Sequence, residues 1–342
     1  FYKAYLFSTQ QPKGEGTFMT IFDEQIARKP NRYPWAQEYI NAMWAGHWTP
    51  NEFTFTSDLQ QYKTELTIKE QEIIKNALSA IGQIEISVKK FWAKLGEVLP
   101  HPAMSDLGIT MSNIEVIHNN AYEKLLDVLQ MQDIFEENLK LDIIQGRVKY
   151  LRKYLDKVYT DNRKQYIYSL ILFTLYVENV SLFSQFYIIN WFNRYKGLLK
   201  DTAQQVAYTA KEETLHALAG VRIVNTIREE LPELFDEELE AKILHEAEQS
   251  YIAESKIIDW MIGDYKDEKI SAEILKGYVQ KRLNDSLEMI GFKKIFDVDP
   301  SIIELTTWMD EDVMGNTMTD FFHKRPVEYA KKTQSIQADD LF

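Results

Sequence analysis

Two short runs, Glu115-Val-Ile-His118-Asn-Asn-Ala-Tyr122 and Glu213-Thr-Leu-His216, decide the fold of this chain. Each contains a Glu-x-x-His. At 100° per residue its two side chains lie about 60° apart on one helix face. Both runs sit in apolar stripes at helical spacing. The first stripe is Glu115, His118, Tyr122, Leu125 and Leu129; the second is Val206, Thr209, Glu213, His216, Gly220, Ile223 and Ile227. Two further stripes each carry one glutamate. They are Ile74, Leu78, Ile81, Glu85, Val88, Trp92, and Ile171, Thr174, Glu178, Leu182, Gln185, Ile189. Four inward faces thus contribute four glutamates and two histidines. One Glu-x-x-His is weak evidence, since the chain's composition gives about half of one by chance. Two of them follow a lone stripe glutamate by 30 and 35 residues, which makes a repeated two-helix unit.

An ionised carboxylate in an apolar interior costs several kcal/mol unless it is paired. Four together repel one another, and basic residues are scarce on these stripes. Two divalent cations resolve the conflict. Carboxylate oxygens with imidazole nitrogens suit iron or manganese. One glutamate from each of two helices and a Glu-x-x-His from each of two others is the ferritin-like dimetal pattern. The expected fold is therefore all-α: a ferritin-like helical bundle with a dimetal site in a four-helix core and flanking helices. His47, His101, His245 and His323 lack this context.

The composition agrees. Of 342 residues only 22 are Gly or Pro, and none of the 129 residues between Pro102 and Pro232 is proline. That suits long helices and argues against all-β or Rossmann-type chains. With no cysteine, disulfides, thiolate zinc sites, iron–sulfur clusters and a cysteine nucleophile are excluded. A net charge of −13 disfavours nucleic acid and anionic membranes as partners. No secretory signal is visible, and a cytoplasmic protein is expected; the chain does not begin with Met, so upstream residues are expected to be missing. Residues 166–192 are apolar enough to resemble a membrane span, but Glu178 at their centre favours a fully buried helix.

Capping signals predict long helices over 67–96 (Thr67 and Glu70 as a capping box), 112–130, 163–194 and 201–228 (Asp201 with Gln204). Shorter ones are expected over 141–158, 237–262, 271–289 and 301–314. The predicted division is an N-terminal extension over 1–34, the helical domain over 35–315, and a flexible tail over 316–342 ending Asp339-Asp340-Leu341-Phe342.

From about Trp35 to its end, the chain resembles the radical-generating small subunit of class I ribonucleotide reductase. The resemblance implies six metal ligands: Glu85, Glu115, His118, Glu178, Glu213 and His216. Many members carry Asp at the first position, where this chain has Glu85. It implies Tyr122 as the oxidisable tyrosine, in register after His118. The run His47-Trp48-Thr49-Pro50 resembles the family's relay tryptophan, Trp48. Glu212 stands where the family commonly has an aspartate linking that tryptophan to a ligand histidine. Phe321-Phe322 and Tyr329 resemble the tail whose tyrosine passes the radical across the subunit interface. The implied cofactor is two metal ions per chain, iron or manganese, dimanganese included. The implied partners are a second copy, in a homodimer, and a large catalytic subunit docked by the tail. That subunit must bring the cysteines this chain lacks, and it must bind the nucleotide, since no phosphate-binding glycine loop occurs here. Lys89, one turn after Glu85, leans toward the ligand face and is a candidate for attracting an anionic oxidant such as superoxide. A stand-alone dimetal oxidase or desaturase, or an iron-storage protein, would share the metal motif. Ferritins and acyl desaturases lack the tyrosine in that register, and a storage protein has no use for the tail.

Overall fold

The computed structural model describes residues 19–82, 85–147 and 162–322, with the side chains of 85–87 and 316–322 outside that description. The described residues form helices joined by turns and loops; the only extended pairing among them is an isolated bridge between Asp267 and Ile270. The helices are α1 (Trp35–Ala45), α2 (Thr56–Thr64), α3 (Ile68–Ile81), α4 (Glu85–Ala93), α5 (Leu95–Val98), α6 (Pro102–Val128) and α7 (Gln132–Asn138). A short run over 142–147 forms α8. Then come α9 (Arg163–Leu172), a π-helical segment (Phe173–Ser181), α10 (Phe183–Lys196), α11 (Lys200–Glu230), α12 (Glu237–Ile262), α13 (Ala272–Met289) and α14 (Pro300–Phe322).

Several ends form as their residues dictate. The Thr67–Glu70 capping box opens α3. Asp236 and Ser271 cap α12 and α13 by accepting backbone N–H groups. Three expectations are corrected. The helix predicted over 67–96 does not run unbroken: α3 ends at Ile81 with Gly82 as its C-cap, and a separate helix α4 covers Glu85–Ala93. Helix α6 begins ten residues before Ser112, because Pro102 occupies its first turn and His101 Nδ1 accepts the Ala103 N–H. The cap proposed for the fourth helix does not form. Asp58, from α2, accepts the N–H groups of Asp201 (3.3 Å) and Thr202 (2.7 Å), while the Asp201 carboxylate accepts from Phe55 N–H at 3.0 Å. A cap supplied from 143 residues away leaves no local sequence signal.

The apolar stretch 163–196 is a core helix. Its most hydrophobic window is 94% buried in protein. It is not α-helical along its length, since Phe173–Ser181 widens into a π-helix. Helix α14 continues to Phe322, past the expected end at Met314. The remainder of the expected tail, with Tyr329, lies outside the described residues, as does the second half of the helix expected over 141–158.

Helices α4, α6, α11 and the π segment pack into the four-helix core. Glycine permits two of its close approaches. A Cβ at Gly108 on α6 would sit 2.4 Å from the Trp92 carbonyl oxygen. A Cβ at Gly220 on α11 would sit 2.3 Å from Thr174 Oγ1 in the π segment. No side chain fits at either contact, so backbone meets backbone or side chain directly.

Candidate dimetal centre

Glu115 and His118 project from α6, Glu178 from the π segment, and Glu213 and His216 from α11. All five are buried. One ligand atom from each of Glu115, Glu178, Glu213 and His216 lies within 4.8 Å of the others. His118 joins the group through Nδ1, which is 3.2 Å from Glu115 Oε2 and 3.2 Å from Glu213 Oε1. Glu85 opens α4, but its side chain lies outside the described residues. Five of the six expected residues therefore meet at one point.

The hydrogen bonding leaves lone pairs unused there. Among the described residues, Glu115 Oε1, Glu178 Oε2 and both ring nitrogens of His216 are buried without a hydrogen-bond partner. His216 Nδ1 is only 2.9 Å from Glu115 Oε1, yet not in hydrogen-bonding geometry. Buried polar atoms are almost always satisfied. Orphaned oxygen and nitrogen lone pairs converging on one point fit a bound cation, and this donor set suits iron or manganese. The titration behaviour agrees. Burial, then the charges of Glu115 and Glu178, hold the Glu213 carboxyl well above the usual carboxylate range. Burial alone would lower both histidines. The surrounding carboxylates overcome it, lifting His216 to about 9 and His118 well above its ordinary value. Protons and metal ions thus compete for the same atoms, and metal affinity should rise with pH.

The neighbouring side chains orient the cluster. His118 Nε2 lies 2.6 Å from Glu212 Oε2, and the Trp48 indole N–H donates to Glu212 Oε1 at 2.9 Å. A histidine whose Nε2–H is held by a carboxylate presents its Nδ1 lone pair to the metal position. Trp48 and His118 also stack, with ring centroids 6.3 Å apart. The longer side chain at 212 therefore still bridges both partners. Tyr122 is buried, its hydroxyl 3.1 Å from Thr209 Oγ1 on α11. Lys89 is half buried on α4, and no ion pair forms between its ammonium and the described carboxylates. Its carbonyl accepts from Ser112, tying α4 to α6.

Three residues near the cluster escaped the sequence reading. Trp92 was read as an apolar stripe residue, but its indole N–H donates to Glu178 Oε1. Its place on the same stripe as Glu85 was the available signal. Arg147 and Arg282 are buried and bonded to the backbone around Glu178. Neither lies on a ligand stripe, and nothing local marks them.

Comparison with known proteins gives a consistent picture. The family model described as "Ribonucleotide reductase, small chain" matches residues 25–302. The ribonucleoside-diphosphate reductase subunit beta of Halalkalibacterium halodurans is 24% identical over 317 residues, covering 91% of this chain and 90% of that protein. The R2 subunit of a ribonucleotide reductase from Clostridium botulinum superposes with a TM-score of 0.75 at 18% identity, covering 82% of this chain and 89% of that one. An R2-like ligand-binding oxidase with a Mn/Fe cofactor superposes at 0.67 and 16% identity, covering 79% and 96%. At such identities the superpositions speak for the fold, which reductase subunits and oxidases share.

Proposed function

The chain belongs to the ribonucleotide reductase small-chain family, and from that premise we propose how its buried cluster serves the reaction. A class I small subunit works with a large subunit that reduces ribonucleoside diphosphates. In our reading Glu85, Glu115, His118, Glu178, Glu213 and His216 hold two metal ions, iron or manganese. The observation that carries it is the set of buried atoms on Glu115, Glu178 and His216 that lack a hydrogen-bond partner among the described residues and lie together in the core. Activated by an oxygen species, such a metal pair supplies the oxidising equivalent that the small subunit stores.

The chain's own residues do the rest. Trp92 fixes one oxygen of Glu178 and leaves the other toward the cluster. Glu212 holds the Nε2 proton of His118 and the indole proton of Trp48, so a hydrogen-bonded path runs from cluster to Trp48. The Thr209 hydroxyl donates to the Gln205 carbonyl at 3.0 Å, so Tyr122 O–H donates to Thr209 Oγ1. The hydrogen bond fixes the orientation of the phenol O–H beside α11. Apolar packing keeps water from Tyr122, which is 1% exposed. Beyond Trp48, Tyr329 in the tail carries the equivalent to the large subunit, and the tail's final residues dock there. The chain acts as a homodimer in the cytoplasm, without nucleic acid or membrane. In this reading residues 1–34 are an extension, the helical domain begins at residue 35 and runs through α14 to Phe322, and the residues that follow are the docking tail. In the same reading Lys89 is the cation that attracts an anionic oxidant such as superoxide.

Replacing Glu178 with Ala tests the reading. Metal content should fall well below two per chain by elemental analysis, and turnover with the large subunit should vanish. Full metal occupancy in that variant overturns the ligand assignment.

A further inference from the structure

The segment that carries Glu178 is gripped from two sides by buried arginines. Arg282 on α13 donates from Nε to the Asn179 carbonyl at 2.7 Å and from Nη2 to Asn179 Oδ1 at 2.8 Å. Arg147 on α8 donates to the Ser181 carbonyl and to Gln185 Oε1 at 3.1 Å. Each guanidinium is neutralised by a different helix. Arg147 pairs with Glu254 of α12 at 2.7 Å, and Arg282 with Asp310 of α14 at 3.1 Å. Arg282 also lies over the Phe183 ring, 3.4 Å from its centroid. Smaller donors complete the set. Ser286 Oγ reaches the Leu175 carbonyl at 3.4 Å and accepts from the Asn179 amide at 2.7 Å, and Ser181 Oγ donates to the Tyr176 carbonyl at 2.7 Å.

The physical reason is the π-helix. Changing from i→i+4 to i→i+5 bonding releases backbone carbonyls from the helix ladder. In a dry core each such carbonyl needs a donor. Burying two guanidiniums is costly, and well-packed apolar side chains usually stabilise a core as well or better. Two such charges placed on carbonyls one and three residues after Glu178 point to something other than bulk stability. We propose that Arg147 and Arg282 are positioning residues: they lock the π register of Phe173–Ser181 and so fix the Glu178 carboxylate in the metal-binding geometry. Without them the segment relaxes toward α-helical register. Each residue of that shift rotates the following side chains by about 100° and takes Glu178 off the cluster. The proposal rests on Glu178 being a ligand.

The test is calorimetric titration of the full-length, metal-free chain with Mn(II), read alongside electron paramagnetic resonance of the bound ion. Arg282→Met and Arg147→Met should each weaken Mn(II) binding by about tenfold or more, the usual effect of losing an outer partner of a metal ligand. They should also broaden the spectrum of the bound ion. Arg282→Lys, which keeps charge but not the fork, should fall between. Arg228→Met is the control: it removes a half-buried arginine from the Ile290 carbonyl, far along the chain from the segment. It should lower the melting temperature while leaving affinity unchanged. Should either arginine variant fail to fold, Ser286→Ala reports instead, with weaker binding expected. Wild-type affinity in the arginine variants, or in Ser286→Ala, overturns the proposal. Full metal occupancy in Glu178→Ala would instead overturn the ligand assignment, so the two failures are distinguishable.

Discussion

Glu212 accepts the indole N–H of Trp48 at 2.9 Å and with its other oxygen meets His118 Nε2 at 2.6 Å. One carboxylate therefore spans a buried tryptophan and a histidine of the cluster. Glu212→Gln should keep the side-chain length but lose an acceptor, since an amide has one acceptor oxygen. We expect metal content near wild type and turnover with the large subunit reduced at least about a hundredfold, by analogy with oriented proton-relay groups. Trp48→Phe should behave alike. Metal loss in Glu212→Gln would show that residue 212 supports the cluster rather than the path.

Gly220→Ala tests the backbone approach that carries the cluster. The new Cβ would fall 2.3 Å from Thr174 Oγ1, so the π segment must move away from α11. Overpacking of this kind costs about 1–3 kcal/mol. The variant should melt lower and bind metal more weakly. Pairing it with Thr174→Ala, which removes both the oxygen and the methyl that the new Cβ meets, should recover part of both losses.

Glu70 joins three elements: it completes the α3 capping box, pairs with Lys196 and accepts from Tyr265 at 3.0 Å. Burial raises its pKa, but the Lys196 ammonium and the Thr67 bonds outweigh that and bring it down to about 2. An unfolded glutamate titrates near pH 4.3. The contribution of Glu70 is therefore fully present above that value and is lost as the pH falls toward about 2. Chemical denaturation between pH 5.5 and about 3 should show falling stability, and Glu70→Gln should lower stability at pH 7 and flatten the slope in that window. An unchanged slope refutes the assignment.

The tail is expected to act by docking. Deleting residues 334–342 should abolish turnover by weakening association with the large subunit, with metal content intact. A synthetic peptide of the last residues should compete. Tyr329→Phe should preserve binding and stop turnover. Unaltered affinity after the deletion removes the docking role.

The oxidant is open to a paired test on Lys89 and Tyr122. If superoxide activates a manganese-loaded site, Lys89→Ala should slow activation with little metal loss, and Tyr122→Phe should keep substantial activity. A stable tyrosyl radical formed with iron and dioxygen, lost with all turnover in Tyr122→Phe, selects the tyrosyl route instead.

The sequence by itself determined the bundle and its chemistry. Helical spacing put Glu115 beside His118, and Glu213 beside His216, and the cost of buried like charges required cations between them. Those are local periodicities and a general electrostatic rule, so they need no tertiary information. Tertiary structure alone decided how the cluster is held. Asp58 caps α11 from another helix. Trp92 turned out to be a donor to Glu178 rather than mere packing. Arg147 and Arg282 reach the π segment from α8 and α13, 34 and 103 residues away. The widening of 173–181 is itself such a case. The i→i+5 bonding leaves no mark in the apolar run of 163–196. It is set by which neighbouring helices offer donors to the carbonyls it frees.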